Sequence, residues 1–443
     1  MKLEKILFNR YLAIPVFLLL MLGVFAITFG FLGDYLSYII EKSIEFLGNG
    51  LIFAIKSLNA PEWFLKFINE AIIGGLGGVL GFLPQVLLLF FALELMEQSG
   101  YLVKLSNVLQ PMCEKIGLSG RSIFSLLMGF GCTTTALPTT KTITNDYARI
   151  KTALLLPFMS CSAKLPVFGC IAGAFFGVNS IFVIFALYLL GLIIAVLLSI
   201  IFQKIAPTPT NENLVLVASL NAPNVLVALK NVGEICLQFI RKIWTIILSF
   251  SIVIWVLNNF TISFEYIVNP EMQTSIIEVI ASLIAPIFAP LGFGWGEVIA
   301  LLIGLVAKEM ILSTIAVLNG VSSAVVADSL LNAGSIVHFS TASCLSFLVF
   351  CLLYTPCVSA TAQLKNTVSK KHFVIFLILQ FAIAYVVSLL VYNVALMFIT
   401  QNLNCIFWVF LISVLIGLST YFVLKYFSNT KKGCKNCNFC NKH

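Results

Sequence analysis

Long apolar stretches without charged residues recur along this chain and predict membrane-spanning helices. Each is close to the ~20 residues that a helix needs to cross the ~30 Å hydrocarbon core of a bilayer. The six stretches are Tyr11–Phe31, Ile72–Leu93, Ile181–Phe202, Ile243–Phe260, Phe373–Ile399 and Ile406–Leu424. A seventh, Phe339–Leu364, is also uncharged, but polar residues and Pro356 interrupt it. The pattern predicts an all-α polytopic membrane protein.

The composition supports this interpretation and excludes a soluble globular protein. Hydrophobic residues make up 60% of the chain and charged residues only 10%, and the mean hydropathy is +1.06. The first apolar stretch is longer than the core of a typical signal peptide and lacks an evident cleavage site of small residues. We therefore expect it to remain as the first span.

The 26 basic residues outnumber the 18 acidic ones, and their positions predict the topology. The basic residues concentrate at the N-terminus, in the middle loop, before the Phe373–Ile399 stretch and in the tail. The positive-inside rule places these segments in the cytoplasm, together with both termini. We expect a multi-pass protein of a prokaryotic cytoplasmic membrane, surrounded by lipid and without a nucleic-acid partner.

Two polar interruptions stand out within apolar sequence. The segment Gly129–Lys141 contains glycines, a cysteine, five threonines and a proline, and the segment Pro157–Lys164 has the same character. Backbone exposed to hydrocarbon must be hydrogen-bonded internally, so such breaks occur only where they are buried in protein or line a wet cavity. We interpret the two segments as walls of a cation path built from discontinuous helices.

An internal repeat relates the two halves of the chain. The glycine spacing of Gly117–Gly129 matches that of Gly292–Gly304 at a constant offset, and a further break at Tyr354–Cys357 corresponds to the one at Pro157–Cys161. The loop charges place the entries to the two units on opposite sides of the membrane. The sequence thus predicts two inverted gate-type repeats.

These features together predict six regions. They are a first span and interfacial segment (1–71), a first gate repeat (72–203), a cytoplasmic linker (204–242), a second gate repeat (243–372), a C-terminal transmembrane hairpin (373–427) and a Cys-rich cytoplasmic tail (428–443).

Five ordered sequence blocks resemble the membrane region of the ferrous iron transport protein B (FeoB) family over nearly the whole chain. They are Glu97–Tyr101, Gly129–Cys132, Pro157–Pro166, Val306–Glu309 and Leu352–Cys357, with Ile14–Phe17 in the first span as a further match. The resemblance implies a permease that carries ferrous iron.

The chain departs from the family pattern in two respects. No phosphate-loop sequence occurs in it, whereas family members usually carry an N-terminal GTP-binding domain. The family's Gly-Cys-Asn-Val-Pro-Ala also becomes Gly131-Cys132-Thr133-Thr134-Thr135-Ala136 here, which leaves the ion identity or the gating open. Energy or control of gating would then come from a separate GTPase chain, from the membrane potential or from a coupled ion, and the sequence leaves these three open. The partners that the resemblance suggests are that GTPase chain and a small SH3-like cytoplasmic protein, and a homo-oligomer is a further expectation.

Soft and borderline cations such as Fe²⁺ bind thiolates, and hydroxyl or carboxylate oxygens can complete a labile set of ligands. The candidate ligands of the ion path are Cys132, Cys161, Cys357, Thr133, Ser160, Ser162 and Glu309. Charged residues within the membrane are costly and should face protein or water. We assign Lys308, Lys164 and Glu97 to gating or internal ion pairs, with packing of the thiols and a surface position for Glu97 as the alternatives.

The tail carries three cysteines and a histidine at regular spacing: Cys434, Cys437, Cys440 and His443. Three thiolates and one imidazole suit tetrahedral Zn²⁺, Fe²⁺ or Cu⁺. The alternative is a disordered, reactive tail. We expect no tightly bound cofactor elsewhere, and Fe²⁺ as the substrate.

The favoured function is uptake of a divalent cation, most simply ferrous iron, across the cytoplasmic membrane. Two alternatives remain open: a nucleoside-type or other small-solute carrier on the same scaffold, which the threonines would suit, and a non-transporting membrane subunit that senses metal. No catalytic triad, metalloprotease motif or carboxylate pair occurs at usable spacing, so we do not expect an enzyme.

Overall fold

Helices account for nearly all of the described residues in the computed structural model. The structure describes residues 12–28, 31–57, 61–74, 80–81, 83–205, 222–242, 248–267, 274–306, 308, 310–319, 326–331, 336–337 and 339–400. Within these ranges no β-strand occurs, apart from a single bridge between Phe260 and Tyr266. The all-α prediction is therefore confirmed.

Nineteen α-helices follow one another in the described ranges. They are α1 (Ala13–Thr28), α2 (Phe31–Lys56), α3 (Glu62–Lys66), α4 (Leu83–Gln98), α5 (Tyr101–Cys113), α6 (Gly120–Gly131), α7 (Thr133–Thr139), α8 (Asp146–Leu155), α9 (Leu165–Phe176), α10 (Ser180–Ile205), α11 (Val225–Lys242), α12 (Leu248–Asn259), α13 (Ile276–Phe288), α14 (Trp295–Ile303), α15 (Met310–Leu318), α16 (Val326–Ser329), α17 (Thr341–Leu353), α18 (Val358–Thr367) and α19 (Lys370–Thr400). A π-helix, Phe67–Gly74, follows α3.

Three helical stretches among the described residues are long and apolar enough to cross a membrane: Asp146–Lys204, Thr341–Thr367 and Lys370–Phe398. Two bent helix pairs raise the number to five if each pair is one span. The predicted spans Ile181–Phe202 and Phe373–Ile399 lie within α10 and α19. The exposed apolar side chains of α10 recur every four residues, as expected for a face turned to lipid. Those at this spacing are Ile181, Phe185, Leu189, Ile193 and Leu197, and Phe182 is exposed beside them.

The predicted span Ile72–Leu93 overlaps α4, and part of it lies outside the described residues. The helix α4 begins at Leu83, extends past the end of that stretch to Gln98, and makes an angle of 68° with α5. Gly100 lies in the turn between the two helices with a φ of 72°, which glycine adopts without a steric penalty. The Glu97–Tyr101 block is therefore a helix bend. The last predicted span, Ile406–Leu424, lies outside the described residues.

The internal repeat is visible in the local structure. In each copy a helix that contains a proline leads into a 3₁₀ turn, a left-handed glycine and then the N-cap of the next helix. The matched positions, at one constant offset, are Pro111 and Pro286, Gly117 (φ 72°) and Gly292 (φ 78°), and the N-caps Ser119 and Gly294. The inverted orientation of the copies stays a prediction.

The chain divides into two compact units. The first comprises Met1–Lys104, Ala163–Ala174 and Ala218–Phe339, and the second comprises Leu105–Ser162, Phe175–Val217 and Ser340–His443. In the first unit α11 packs on α4, and the Glu94 carboxylate accepts a hydrogen bond of 2.7 Å from the Asn231 amide. The six predicted regions stay a prediction, because the two units do not follow their boundaries.

A buried lysine joins three elements of the second unit. The ammonium group of Lys151 on α8 donates to the carbonyl oxygens of Ile116 (2.7 Å) and Gly117 (3.1 Å) and to the side-chain oxygen of Gln203 on α10 (3.3 Å). The Ser199 hydroxyl donates to the same Ile116 carbonyl at 2.9 Å. Lysine near a helix C-terminus can hydrogen-bond its last carbonyls and interacts favourably with the helix dipole. Lys151 therefore stabilises the turn before α6.

We expect Lys151→Met to destabilise the protein by about 1–3 kcal/mol, because it leaves buried carbonyl groups without their donor. The measurement is the thermal unfolding midpoint of the purified protein in nanodiscs. Lys115→Met is the matched control, since it removes the same charge from an exposed position two residues before Gly117. Equal midpoints for the two variants would contradict the structural role of Lys151.

Candidate metal site at three helix breaks

The first break separates α6 from α7 at Cys132. Cys132 has an extended backbone, with φ −150° and ψ 122°, and is the N-cap residue of α7. The backbone N–H groups of Thr134 and Thr135 face its sulfur without making a full capping hydrogen bond. The extended conformation of Cys132 separates the two helices.

The second break is the segment from Met159 to Cys161, between two short 3₁₀ turns. The preceding Phe158 is fully buried and packs edge-to-face on Phe376 of α19, with ring centroids 6.2 Å apart. The hydroxyl of Ser162 donates to the carbonyl of Gly131 at 2.8 Å. Because Gly131 is the last residue of α6, this bond joins the second break directly to the first.

The third break lies between α17 and α18, at Tyr354–Cys357. The buried amide of Gln380 on α19 donates to the carbonyl oxygens of Leu353 (3.2 Å) and Tyr354 (3.4 Å), at the C-terminus of α17. Cys357 is the N-cap residue of α18, just as Cys132 is that of α7. Two of the three breaks therefore place a cysteine at a helix N-terminus.

The three breaks meet within the second unit. The thiols of Cys161 and Cys357 are close enough to that of Cys132 to interact with it electrostatically. The sulfur of Cys357 also lies 3.8 Å from the hydroxyl of Thr134 on α7. All three cysteines are half-buried and none is in a disulfide. The three cysteines predicted from the sequence therefore lie in one region of the second unit.

The arrangement is not a closed metal centre. Among the described residues, no three His, Cys, Asp or Glu side chains stand close enough together to hold a metal ion. Structural metal sites close the coordination shell with protein ligands, whereas sites that exchange their ligand leave positions open. Metal binding by Cys132, Cys161 and Cys357 stays a prediction.

The hydroxyl groups around the breaks differ in what they contact. Those of Thr135, Thr139 and Thr140 donate to the carbonyls of Cys132, Ala136 and Leu137, three residues earlier in the chain. These threonines therefore stabilise their own helix and turn. The predicted ligands Thr133 and Ser160 are buried, and no hydrogen-bond partner of the Ser160 hydroxyl is found in the described part of the chain. An orphaned buried hydroxyl costs about 1–3 kcal/mol.

The predicted charged residues belong to the first unit. Lys164 and Lys308 are both buried, and each interacts with other groups. Lys308 lies between the end of α14 and the start of α15, so the predicted interruption of that apolar stretch is confirmed. Glu97 is exposed at the end of α4. Glu309 and the predicted tail cluster of Cys434, Cys437, Cys440 and His443 lie outside the described residues.

The sequence analysis missed two side chains that border the breaks, Gln380 and Tyr188. Gln380 was detectable, because a polar residue in the middle of a long apolar helix needs a buried partner. Tyr188 of α10 interacts electrostatically with Cys161, but nothing distinguishes it from the other aromatic residues of an apolar span. Only the packing of α10 reveals its position.

Comparison with known proteins agrees with this architecture. The family model described as "Gate: Nucleoside recognition" matches residues 79–175 and 240–371. The Fe(2+) transporter FeoB of Staphylococcus aureus (strain MSSA476) is 32% identical over 407 residues, which are 90% of this chain and 59% of the relative. The Fe(2+) transporter FeoB of Methanocaldococcus jannaschii is 33% identical over 354 residues, which are 79% of this chain and 52% of the relative.

A third relative is a fusion protein. The Fe(2+) transport protein A/Fe(2+) transporter FeoB fusion protein of Porphyromonas gingivalis is 31% identical over an alignment of 443 positions, which covers 90% of this chain and 52% of the relative. The chain thus spans between about half and three fifths of the length of these relatives. No solved structure matches it. The chain therefore belongs to the Gate family, and it resembles the membrane region of the Fe(2+) transporters FeoB.

Proposed function

We propose that this protein carries a divalent cation, most simply Fe²⁺, across the cytoplasmic membrane. The observation that supports the proposal is that three cysteine-bearing helix breaks are joined within one compact unit, by the Ser162–Gly131 hydrogen bond and by the contact between Thr134 and Cys357. Thiolates match the borderline softness of Fe²⁺. The names of the FeoB relatives support the same substrate.

The proposed ion site is open and labile. A partly dehydrated ion enters and is held by Cys132, Cys161 and Cys357, with oxygen atoms of Thr133, Ser160 and Ser162 replacing part of its hydration shell. Transport requires that the site binds the ion strongly enough for entry and weakly enough for release. The absence of a closed three-ligand cluster among the described residues is compatible with this requirement.

Release is proposed to follow a small movement of the elements that meet at the breaks. The helices α7 and α18 both begin at a cysteine and pack against each other. A shift of α18 relative to α7 changes the separation of Cys357 from Cys132 and so opens the site. A divalent cation that enters a negative interior gains ~2.3 kcal/mol per charge per 100 mV, so the membrane potential can drive uptake.

The proposed assignments of Lys164, Lys308 and Glu97 are to gating and internal ion pairs. A lysine beside a cation would repel it, so the buried positions of Lys164 and Lys308 suit counter-charges of the protein and not ligands. We propose further that a small cytoplasmic partner related to Fe(2+) transport protein A acts with this chain. The Porphyromonas gingivalis relative, in which that protein is fused to FeoB, supports this partnership.

A nucleoside-type carrier is the second candidate, and the description of the matching family model favours it. The hydroxyls of Thr135, Thr139 and Thr140 count against it, because they donate to carbonyls in their own helix and turn. Proteoliposomes containing the purified chain distinguish the two candidates. Uptake of radiolabelled Fe²⁺ without uptake of radiolabelled uridine supports the cation carrier, and the reverse result overturns it.

We expect Cys161→Ser to lower Fe²⁺ uptake about tenfold or more, because a hydroxyl is a poor substitute for a thiolate ligand. The initial rate is measured in proteoliposomes under anaerobic, reducing conditions. Cys113→Ser is the matched control, since Cys113 is also half-buried but lies at the end of α5. Wild-type uptake by folded Cys161→Ser protein would exclude Cys161 from the site.

We expect GTP to change neither the uptake nor the thermal unfolding midpoint of the purified chain. A phosphate loop needs glycines for close backbone approach and a lysine for the terminal phosphates, and the chain contains no such sequence. A nucleotide that does not bind the folded state cannot stabilise it. A rise in the midpoint at micromolar GTP would contradict this expectation, with ATP as the control nucleotide.

A further inference from the structure

Gly191 brings α10 into contact with the second helix break. A Cβ atom at this position would lie only 2.8 Å from the carbonyl oxygen of Phe158, which is closer than real Cβ atoms approach a backbone oxygen. It would lie 3.5 Å from a methyl group of Leu352 on α17. The missing side chain of Gly191 therefore allows the break to pack directly against the α10 backbone.

The orphaned hydroxyl of Ser160 lies at the same place. It is 3.7 Å from the position that a Gly191 Cβ would occupy, and the Ser160 residue is 1% exposed. Buried polar atoms nearly always have a partner, so this hydroxyl needs one that the described residues do not supply. Ser160 directly precedes Cys161 in the second break.

Tyr188 lies one turn before Gly191 on the same face of α10. Its ring stacks on Phe130, with centroids 6.5 Å apart and an interplanar angle of 10°, and Phe130 is two residues before Cys132. Its phenol group is buried and interacts electrostatically with the Cys161 thiol. Tyr188 is thus packed on α6 beside the first break, and it lies one turn from the contact of Gly191 with the second break.

We propose that α10 is the oxygen-donor wall of the ion site, in which Gly191 positions Ser160 and Tyr188 provides a phenol oxygen beside Cys161. This inference rests on the proposed function and deepens it, since it assigns the basis of metal selectivity. Thiolates alone favour soft ions such as Cd²⁺ and Cu⁺, whereas added oxygen ligands favour borderline ions such as Fe²⁺ and Co²⁺. The α10 wall therefore shifts the preference of the three cysteines towards borderline divalent ions.

The test compares Co²⁺ and Cd²⁺ binding to the purified, reduced full chain in nanodiscs. Co²⁺ bound to thiolate gives a charge-transfer absorption band, and Cd²⁺ is measured by its competition for that band. We expect Tyr188→Phe to weaken Co²⁺ about tenfold and to leave Cd²⁺ unchanged, because the ring and its stacking on Phe130 are kept. Tyr147→Phe is the control, since it removes the hydroxyl from an exposed tyrosine of α8. An unchanged Co²⁺ to Cd²⁺ affinity ratio in Tyr188→Phe would overturn the proposal.

The second variant tests the packing of Gly191. We expect Gly191→Ala to displace the Phe158–Ser160 segment and to weaken Co²⁺ binding, whereas Gly169→Ala in α9, where a Cβ meets open space, binds as wild type. Wild-type Co²⁺ affinity in Gly191→Ala would overturn the role of Gly191. If that variant does not fold, the affinity ratio of Tyr188→Phe decides the proposal.

Failure of this inference is distinguishable from failure of the proposed function. If the wild-type Co²⁺ band is unaffected by Cys161→Ser, the thiol site itself is wrong. If the Co²⁺ band requires Cys161 but Tyr188→Phe does not change the Co²⁺ to Cd²⁺ affinity ratio, only the oxygen-donor role of α10 is wrong.

Discussion

Backbone groups inside a membrane must find their hydrogen bonds within the protein, and the structure around the three breaks depends on this constraint. An unsatisfied N–H or C=O in hydrocarbon costs several kcal/mol. Each helix break leaves backbone N–H and C=O groups without a partner in their own helix. The side chains of Ser162 and Gln380 donate to buried carbonyl groups at helix ends. Ser162 donates to Gly131, and Gln380 donates to Leu353 and Tyr354. The breaks are therefore stable only because neighbouring elements complete them, which forces those elements to pack together.

The cysteines at two of the breaks satisfy this constraint poorly. Cys132 and Cys357 occupy N-cap positions, where a Ser, Thr, Asp or Asn would normally bond the free amides of the helix. A sulfur atom bonds those amides weakly, so stability is lost at each position. Residues that break a local rule without a structural gain are expected at functional sites, and this supports an ion-binding role for both cysteines.

The second unit uses α10 for two purposes. One face carries Ile181, Phe185, Leu189, Ile193 and Leu197 towards lipid, at four-residue spacing. The other carries Tyr188 and Gly191 towards the second break and Gln203 towards the Lys151 ammonium group. A continuous 26-residue helix thus gives the discontinuous elements a regular surface to pack against. Sites built against regular helices keep their geometry better than sites formed by loops alone.

The sequence by itself determined the helical class, the apolar spans α10 and α19, the places where helices break and the local repeat around Gly117 and Gly292. These features depend on hydrophobic runs and on the backbone preferences of glycine and proline, which act over a few residues. It did not predict that α4 continues past Leu93 to Gln98, because a helix can extend beyond the apolar run that defines a span.

Only the tertiary structure decided which breaks meet. Thr134 and Cys357 are 223 residues apart in the chain, and no local pattern relates them. The structure likewise showed that Ser162 bridges to Gly131 and that Tyr188 adjoins Cys161. Such contacts arise from helix packing, where side chains far apart in sequence share one buried space, so the residues that complete the candidate site could not be found from spacing alone.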